Sequence, residues 1–316
     1  MRFTAAAKVF VLFGDPVEHS LSPAMQNAAL QAAGIDGLYI PWRVKSVGLP
    51  AAFESLRGMD NFGGANVTLP HKEQAFSLVD TLTQEAASVG AVNTVVARGG
   101  RLLGANTDGQ GFLRSLHEEA AFLPRGKSAV ILGAGGAARA VSISLAEAGA
   151  EEIVIVNRTI ERAQSLAEFV NREIGASAIG LGRDDPRMPD RVRNCALVVN
   201  TTSVGLSPSD PPPIDPSLLQ PGMLVYDLIY RPLETALLRE ATKRGCQVLG
   251  GLGMLLYQGA LAFELWTGQK PSEEAMRKAL VAAIGQKAPP SSPSPSRGEG
   301  TACVDSSPLV GKGPLT

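Results

Sequence analysis

The chain has 316 residues, 45% of them hydrophobic and 19% charged, with a formal net charge of −1. That length allows two domains of ordinary size, and the near-neutral balance offers no electrostatic footprint for nucleic acid or an anionic membrane. The three cysteines, Cys195, Cys246 and Cys303, fit neither a zinc spacing nor a disulfide framework, so a reducing, cytoplasmic setting is expected.

Residues 9–13 form an apolar run that is short and bracketed by Lys8 and Asp15, which makes it a first strand rather than a signal peptide. No run approaches the length of a transmembrane helix. Residues 23–33 read as a helix opened by Pro23, behind Ser22. Residues 38–44 read as a strand, 49–56 as a helix, and 62–67 as a strand ending in a turn at Pro70. Residues 91–98 and 101–105 are strands joined through Gly99 and Gly100, a hairpin signal. A helix over 109–119 leads into the second half, whose strands are expected at 129–132, 153–156, 196–200, 224–228 and 246–249. The proline-rich stretch 207–216 reads as a surface loop. Residues 252–266 and 272–284 are strongly helical, with Pro271 between them, and are expected to return and pack on the first domain. Residues 286–316 are dense in Pro, Ser and Gly and are expected to be disordered, because they cannot repay their ordering entropy. The expected fold class is therefore α/β with two domains. An α/β substrate domain covers 1–107 and a Rossmann-type doubly wound domain covers 108–250, followed by the returning helices 251–285 and the tail.

The stretch around residue 133 is the most informative. An apolar strand leads into Gly133, Ala134, Gly135, Gly136, Ala137 and Ala138, then an alanine-rich helix, then a second apolar strand. This is G-x-G-x-x-A in the strand–turn–helix–strand context that a dinucleotide fingerprint requires. Gly133 permits the tight turn, Gly135 lets backbone approach a pyrophosphate, and Ala138 is small enough for close helix–strand packing. The first amides of the helix carry partial positive charge toward the phosphates. At the end of the second strand an NAD site would place Asp or Glu against the ribose 2′-hydroxyl. Here stand Asn157, Arg158, Thr159 and, one turn on, Arg162. Guanidiniums can clamp a 2′-phosphate that a carboxylate would repel, so the cofactor expected is NADP.

The first domain carries a set of polar residues in strand-end loops: Ser20 and Ser22, Asn66 and Thr68, Lys72, Asn93, and Asp108. Each alone has an ordinary explanation, with Ser22 as an N-cap, Lys72 as a solvated helix-start lysine, and Asn93 and Asp108 as turn residues. The whole set beside a nucleotide-binding unit points to a substrate site. No metal is signalled, since His19, His71 and His117 are scattered. His71, although next to Lys72, is expected to be a packing or solvated residue.

The strings HSLSPAMQNAAL, GANVTLPHKE, VGAVNTVV, GANTDGQGF, LGAGGAARA, VNRT, NTTSVGL, YDLIYRP and GGLGMLLYQGALAFELWTG occur in that order between His19 and Gly268, within a likeness that covers residue 9 to about 284. In this combination the sequence resembles the shikimate dehydrogenase family. The resemblance implies reversible NADPH-dependent reduction of 3-dehydroshikimate to shikimate, a step of aromatic amino-acid biosynthesis. It implies that Ser20, Ser22 and the Tyr230 hydroxyl bind the substrate carboxylate. Thr68, Asn93, Asp108 and Gln258 would hold the ring hydroxyls, and Lys72 would be the catalytic acid/base with Asp108 as its partner. Gly133, Ala134, Gly135, Gly136, Ala137, Asn157, Arg158, Thr159, Arg162, Leu228 and Gly251 would contact the cofactor. The family often has methionine where Leu228 stands, and the exchange keeps an apolar wall.

The chemistry follows from the residue types. A ketone oxygen that becomes an alkoxide needs a proton, which an ammonium at Lys72 could donate. A neighbouring carboxylate favours the ammonium and desolvation favours the amine, and the sequence leaves that balance open, as it does a purely orienting role for one member of the pair. Three other readings stay in view: an NAD-dependent quinate/shikimate dehydrogenase, an aminoshikimate-type paralogue, and a non-enzymatic NADP-binding regulator. Arg158 and Arg162 argue against the first, and the presence of both Lys72 and Asp108 argues against the last. Either a monomer or a homodimer is compatible with the sequence.

Overall fold

A computed structural model describes residues 3–285. The tail expected to be disordered and Cys303 lie outside the described residues. The first half contains β1 (Lys8–Gly14), α1 (Ser22–Ala32), β2 (Gly37–Arg43), α2 (Leu49–Arg57), β3 (Phe62–Val67), α3 (Lys72–Phe76), β4 (Thr81–Leu82), α4 (Gln84–Val89), β5 (Thr94–Arg98) and β6 (Arg101–Ala105). Its strands make a six-stranded sheet in the order β2-β1-β3-β5-β6-β4. β1 runs parallel to β2 and β3, whereas β5 is antiparallel to β3 and β6.

The second half contains α5 (Asp108–Ala120), β7 (Ser128–Leu132), α6 (Gly136–Glu147), β8 (Glu152–Asn157), α7 (Ile160–Ile174), β9 (Ala178–Gly182), α8 (Met188–Arg193), β10 (Leu197–Asn200), β11 (Leu224–Asp227), α9 (Ala236–Lys243) and β12 (Gln247–Gly250). Its sheet is wholly parallel in the order β12-β11-β10-β7-β8-β9. This is the doubly wound order, with the chain reversing direction beside β7, where such sheets bind their ligands. Because both faces are covered, the strands are apolar along their length rather than alternating. Ile131, Ile153, Ile155 and Val199 face the core shared with α6 and α7, and Val130, Val154, Val198 and Val225 face Val192, Leu218 and Leu237 on the other side.

Two helices close the described chain, α10 (Leu252–Thr267) and α11 (Glu273–Ile284). They return to the first sheet as expected: Leu256, Phe263, Met276 and Leu280 are buried with Phe10, Leu12, Met25, Leu30 and Tyr39. Burial of each such side chain is worth about 1.5–3 kcal/mol. Leu252 and Leu255 pack at the edge of the same cluster. Polar ties fix the docking, with Gln26 Nε2 donating to the Gly259 carbonyl at 2.9 Å and Trp266 Nε1 to the Val95 carbonyl at 3.0 Å.

Several boundaries differ from expectation for local reasons. α1 opens on Ser22 itself, with Leu21 at the cap, so Ser22 is not an N-cap. Instead the Ser20 hydroxyl accepts from the Ser22 amide at 3.2 Å. The strand expected at 91–98 begins only at Thr94, because the residues before it turn toward the loop at 106–108. The strand expected at 224–228 ends at Asp227. α3, β4, α4, α7, β9, α8 and α9 were not among the expected elements. β9 reads AIGLG, two glycines in five residues, which carries little strand signal by itself.

Candidate active site

Lys72 is the first residue of α3, just past the turn in which the His71 amide donates to the Thr68 carbonyl at 2.9 Å. His71 is fully buried, with Nε2 2.6 Å from the Val44 carbonyl and Nδ1 3.5 Å from the Ser46 hydroxyl. That ring anchors the start of α3 to the segment after β2, a packing role that leaves the neighbouring lysine free to turn the other way. Asp108 is the first residue of α5. Lys72 Nζ donates to Asp108 Oδ2 at 2.6 Å, with side-chain exposures of 20% and 8%. An ion pair so nearly withdrawn from water is screened little by salt.

The far oxygen of Asp108 is held as well. Asn93 Nδ2 donates to Asp108 Oδ1 at 2.8 Å and to the Thr107 hydroxyl at 3.0 Å. Asn93 Oδ1 accepts from the Thr107 amide and the Thr94 hydroxyl, each at 2.9 Å. Both amide hydrogens and both carbonyl lone pairs of Asn93 are thereby engaged. The chain of bonds continues outward, with Asn66 Nδ2 donating to the Asn93 carbonyl at 3.2 Å and accepting at Oδ1 from the Tyr39 hydroxyl at 2.9 Å. The Tyr39 hydroxyl also meets the Ser22 side chain, and burial pushes its pKa up. A continuous hydrogen-bonded network thus runs from Tyr39 to the Lys72–Asp108 pair, with Ser22 beside its outer end. Tyr39, Thr94, Asn106 and Thr107 are members that the sequence did not single out. Thr94, Asn106 and Thr107 stand within the motifs AVNT and ANTDG, whereas Tyr39 stands in an apolar strand that carries no such signal.

Asp108 is also placed by helix packing. A side chain at Gly111 would lie 2.6 Å from the Gln258 backbone nitrogen, so the glycine is what lets α5 lie against α10. Gln258 is therefore beside the first turn of α5, its Nε2 donating to the Leu255 carbonyl of its own helix at 2.9 Å. Thr68 sits after β3 with its amide on the Phe13 carbonyl at 2.8 Å. Tyr230 follows β11, half-buried against the cluster that holds Phe10 and Leu12, where burial raises its pKa. Among the described residues no hydrogen bond joins its hydroxyl to Ser20 or Ser22.

The nucleotide half presents the other wall. Gly133 has φ +112°, a conformation that favours glycine, and its amide donates to the Val156 carbonyl at 2.8 Å. A side chain there would also meet the Thr201 hydroxyl at 2.5 Å. Gly135 caps α6 with no side chain, and a Cβ on Gly135 or Gly136 would meet nothing within 4 Å. The open cradle above a helix N-terminus fits a pyrophosphate. Ala134 and Ala137 line the same turn, while Ala138 is fully buried against the sheet. Arg158 and Arg162 are exposed, and among the described residues neither has an ion pair. Asn157 Nδ2 donates to the Thr159 carbonyl at 2.9 Å, which closes the turn that carries Arg158. Leu228 and Gly251 touch: the Gly251 amide donates to the Ile229 carbonyl at 3.1 Å, and a Cβ on Gly251 would strike the Leu228 carbonyl.

Asp227, which the sequence did not single out, ties this wall together. It is fully buried and accepts from the Thr235 hydroxyl at 2.7 Å, Asn200 Nδ2 at 3.0 Å and the Ile229 amide at 3.1 Å. Burial still holds its carboxyl above the usual range. Cys195 and Cys246 are free and buried, and desolvation pushes the Cys195 thiol up to about 12. Among the described residues there is no cluster of three His, Cys, Asp or Glu side chains suited to a metal, and no helix long and apolar enough to cross a membrane.

Three family models match in chain order. Residues 12–95 match the shikimate dehydrogenase substrate binding domain, 118–202 match shikimate / quinate 5-dehydrogenase, and 251–281 match the shikimate 5′-dehydrogenase C-terminal domain. The chain is 48% identical over 281 residues to shikimate dehydrogenase (NADP(+)) of Methanopyrus kandleri, covering 88% of this chain and 96% of the relative. Among solved structures, shikimate 5-dehydrogenase from Thermus thermophilus in complex with NADP(H) and shikimate superposes with a TM-score of 0.78 at 43% identity, covering 87% of this chain and 99% of that one. Quinate dehydrogenase from Corynebacterium glutamicum in complex with NAD superposes with a TM-score of 0.81, but at 30% identity, covering 87% and 99%. With the family models matched in chain order, near-full-length identity of this size and a fold that superposes on the solved structures, the chain belongs to the shikimate dehydrogenase (NADP+) family.

Proposed function

We propose that this protein is an NADP-dependent shikimate dehydrogenase that reversibly reduces 3-dehydroshikimate to shikimate in aromatic amino-acid biosynthesis. The observation that carries the reading is the 2.6 Å contact between Lys72 Nζ and Asp108 Oδ2 inside the hydrogen-bonded network. Bound NADPH supplies the hydride for the ketone carbon. Lys72 donates a proton to the carbonyl oxygen as charge develops there, and in the oxidation direction its amine accepts that proton from the hydroxyl. Asp108, fixed by Asn93, aims the lysine and receives a ring hydroxyl together with Thr68 and Gln258, and Asn93 joins them by exchanging its 3.0 Å bond to the Thr107 hydroxyl for one to the substrate. Ser20, Ser22 and Tyr230 bind the carboxylate.

The open turn at Gly133, Ala134, Gly135, Gly136 and Ala137 cradles the pyrophosphate. Asn157, Arg158, Thr159 and Arg162 receive the adenosine 2′-phosphate, and Leu228 and Gly251 border the nicotinamide. In this division of labour residues 1–107 chiefly serve the substrate, joined by Asp108, Tyr230 and Gln258, while 108–250 chiefly serve the cofactor, joined by Gly251, and 251–285 brace the first domain. Free buried thiols accord with a cytoplasmic enzyme.

The absence of a carboxylate after β8 favours NADP over the NAD-dependent quinate reading. The test is a set of four initial rates, with shikimate and quinate each paired with NADP+ and NAD+. The proposal expects the shikimate–NADP+ pair to have the highest kcat/KM. A preference for quinate or for NAD+ overturns it.

A further inference from the structure

β8 and β9 run parallel with Asn157 paired to Gly182. The residue that follows each strand is an arginine, so Arg158 and Arg183 come directly after a register pair of neighbouring strands, which lie about 4.8 Å apart. Both line one cleft of about 420 Å³, together with Ile160, Gly182, Asp184 and Asp185. Both are exposed, and among the described residues neither has an ion-pair partner. Asp185 does not neutralise them, because its oxygens are taken by Arg187 at 2.9 and 3.0 Å, an attachment that holds its carboxyl down at about 2. Asp184 is the remaining carboxylate of the cleft, outnumbered by the two guanidiniums. Two adjacent guanidiniums that share a single remaining carboxylate at the ligand-binding edge of a doubly wound sheet suit an anion between them.

We propose that Arg183, contributed by β9, is a specificity-determining residue that grips the adenosine 2′-phosphate from the side opposite Arg158. The assignment rests on the reading that Arg158 marks the 2′-phosphate position. Arg162 approaches from the first turn of α7, whereas Arg183 comes from the neighbouring strand. The phosphate is thus held on two sides rather than from the β8–α7 segment alone, and a planar fork from each side adds direction as well as charge.

The test uses the full-length protein and titration calorimetry with adenosine 2′,5′-bisphosphate and with adenosine 5′-monophosphate, on the parent, Arg158→Gln and Arg183→Gln. Melting curves verify that each variant is folded. Removing the charge-assisted hydrogen bonds of Arg183 weakens the bisphosphate roughly 10- to 100-fold while the monophosphate changes little. The NADP+ to NAD+ ratio of kcat/KM should fall in parallel. Equal weakening of both nucleotides, or no weakening of either, overturns the role of Arg183. If Arg158→Gln weakens the bisphosphate and Arg183→Gln does not, only the assignment of Arg183 falls. If Arg158→Gln also leaves the bisphosphate unaffected, the placement of the 2′-phosphate falls with it.

Discussion

Replacing Lys72 by alanine separates chemistry from folding. The substitution leaves one oxygen of Asp108 without its 2.6 Å partner, while Asn93 retains the other at 2.8 Å. Breaking a fully buried pair costs about 3–5 kcal/mol and an exposed one about 0–1 kcal/mol. With exposures of 20% and 8% this pair lies between, and we expect a loss of about 1–2 kcal/mol, small beside a typical margin of about 5–15 kcal/mol. The variant should therefore remain folded at 25 °C. Loss of general acid–base catalysis typically costs ~10²–10⁴-fold in rate, or about 2.7–5.5 kcal/mol of activation free energy. Initial rates in both directions should show kcat falling by that range with KM changing by less than about tenfold. The Lys72→Ala/Asp108→Ala double variant should be about as slow as the slower single one, because either change dissolves the pair. A kcat within about threefold of the parent, in a protein that melts normally, would refute the acid/base role of Lys72.

Further outcomes follow from the packing. Gly111→Ala gains about 1 kcal/mol of helix propensity, but it drives a methyl toward the Gln258 backbone. Urea unfolding should show a net loss of about 1–3 kcal/mol, and kcat should fall because α5 carries Asp108. Phe263→Ala empties a fully buried site between α10 and the first sheet, and denaturant unfolding should show a loss of about 3–5 kcal/mol. Asp80 accepts from the Leu102 amide at 2.6 Å and pairs with Arg57, and these interactions hold its carboxyl below the usual range. A depressed folded-state pKa gives stability that is present above about pH 4 and is lost as the pH falls through the folded value. Melting curves of the parent and Asp80→Asn should therefore differ at pH 7 and converge below about pH 4, and a pH-independent gap would count against the linkage.

Much was legible from the chain alone, because the signals are local. The apolar strands around residue 133, the glycine turn and the arginine after the next strand each express a backbone or charge requirement met within a few residues. The doubly wound half could be placed from them, as could the two C-terminal helices from their apolar density. The polar motifs marked Ser22, Asn66, Lys72, Asn93 and Asp108 as a group. What connects them is not local. Lys72 and Asp108 are 36 residues apart and begin different helices, and only packing of α5 on α10 through Gly111 brings the second into position. Tyr39, buried in β2, completes the network from a strand that reads as ordinary core. Asp227 serves three partners up to 27 residues away. The glycine-rich β9 has too little pattern to be seen as a strand, yet its parallel register with β8 sets Arg183 beside Arg158. The sequence by itself determined which turns, helices and charges exist. Tertiary structure decided which of them meet, since strand order and helix docking depend on burying faces contributed by residues remote in the chain.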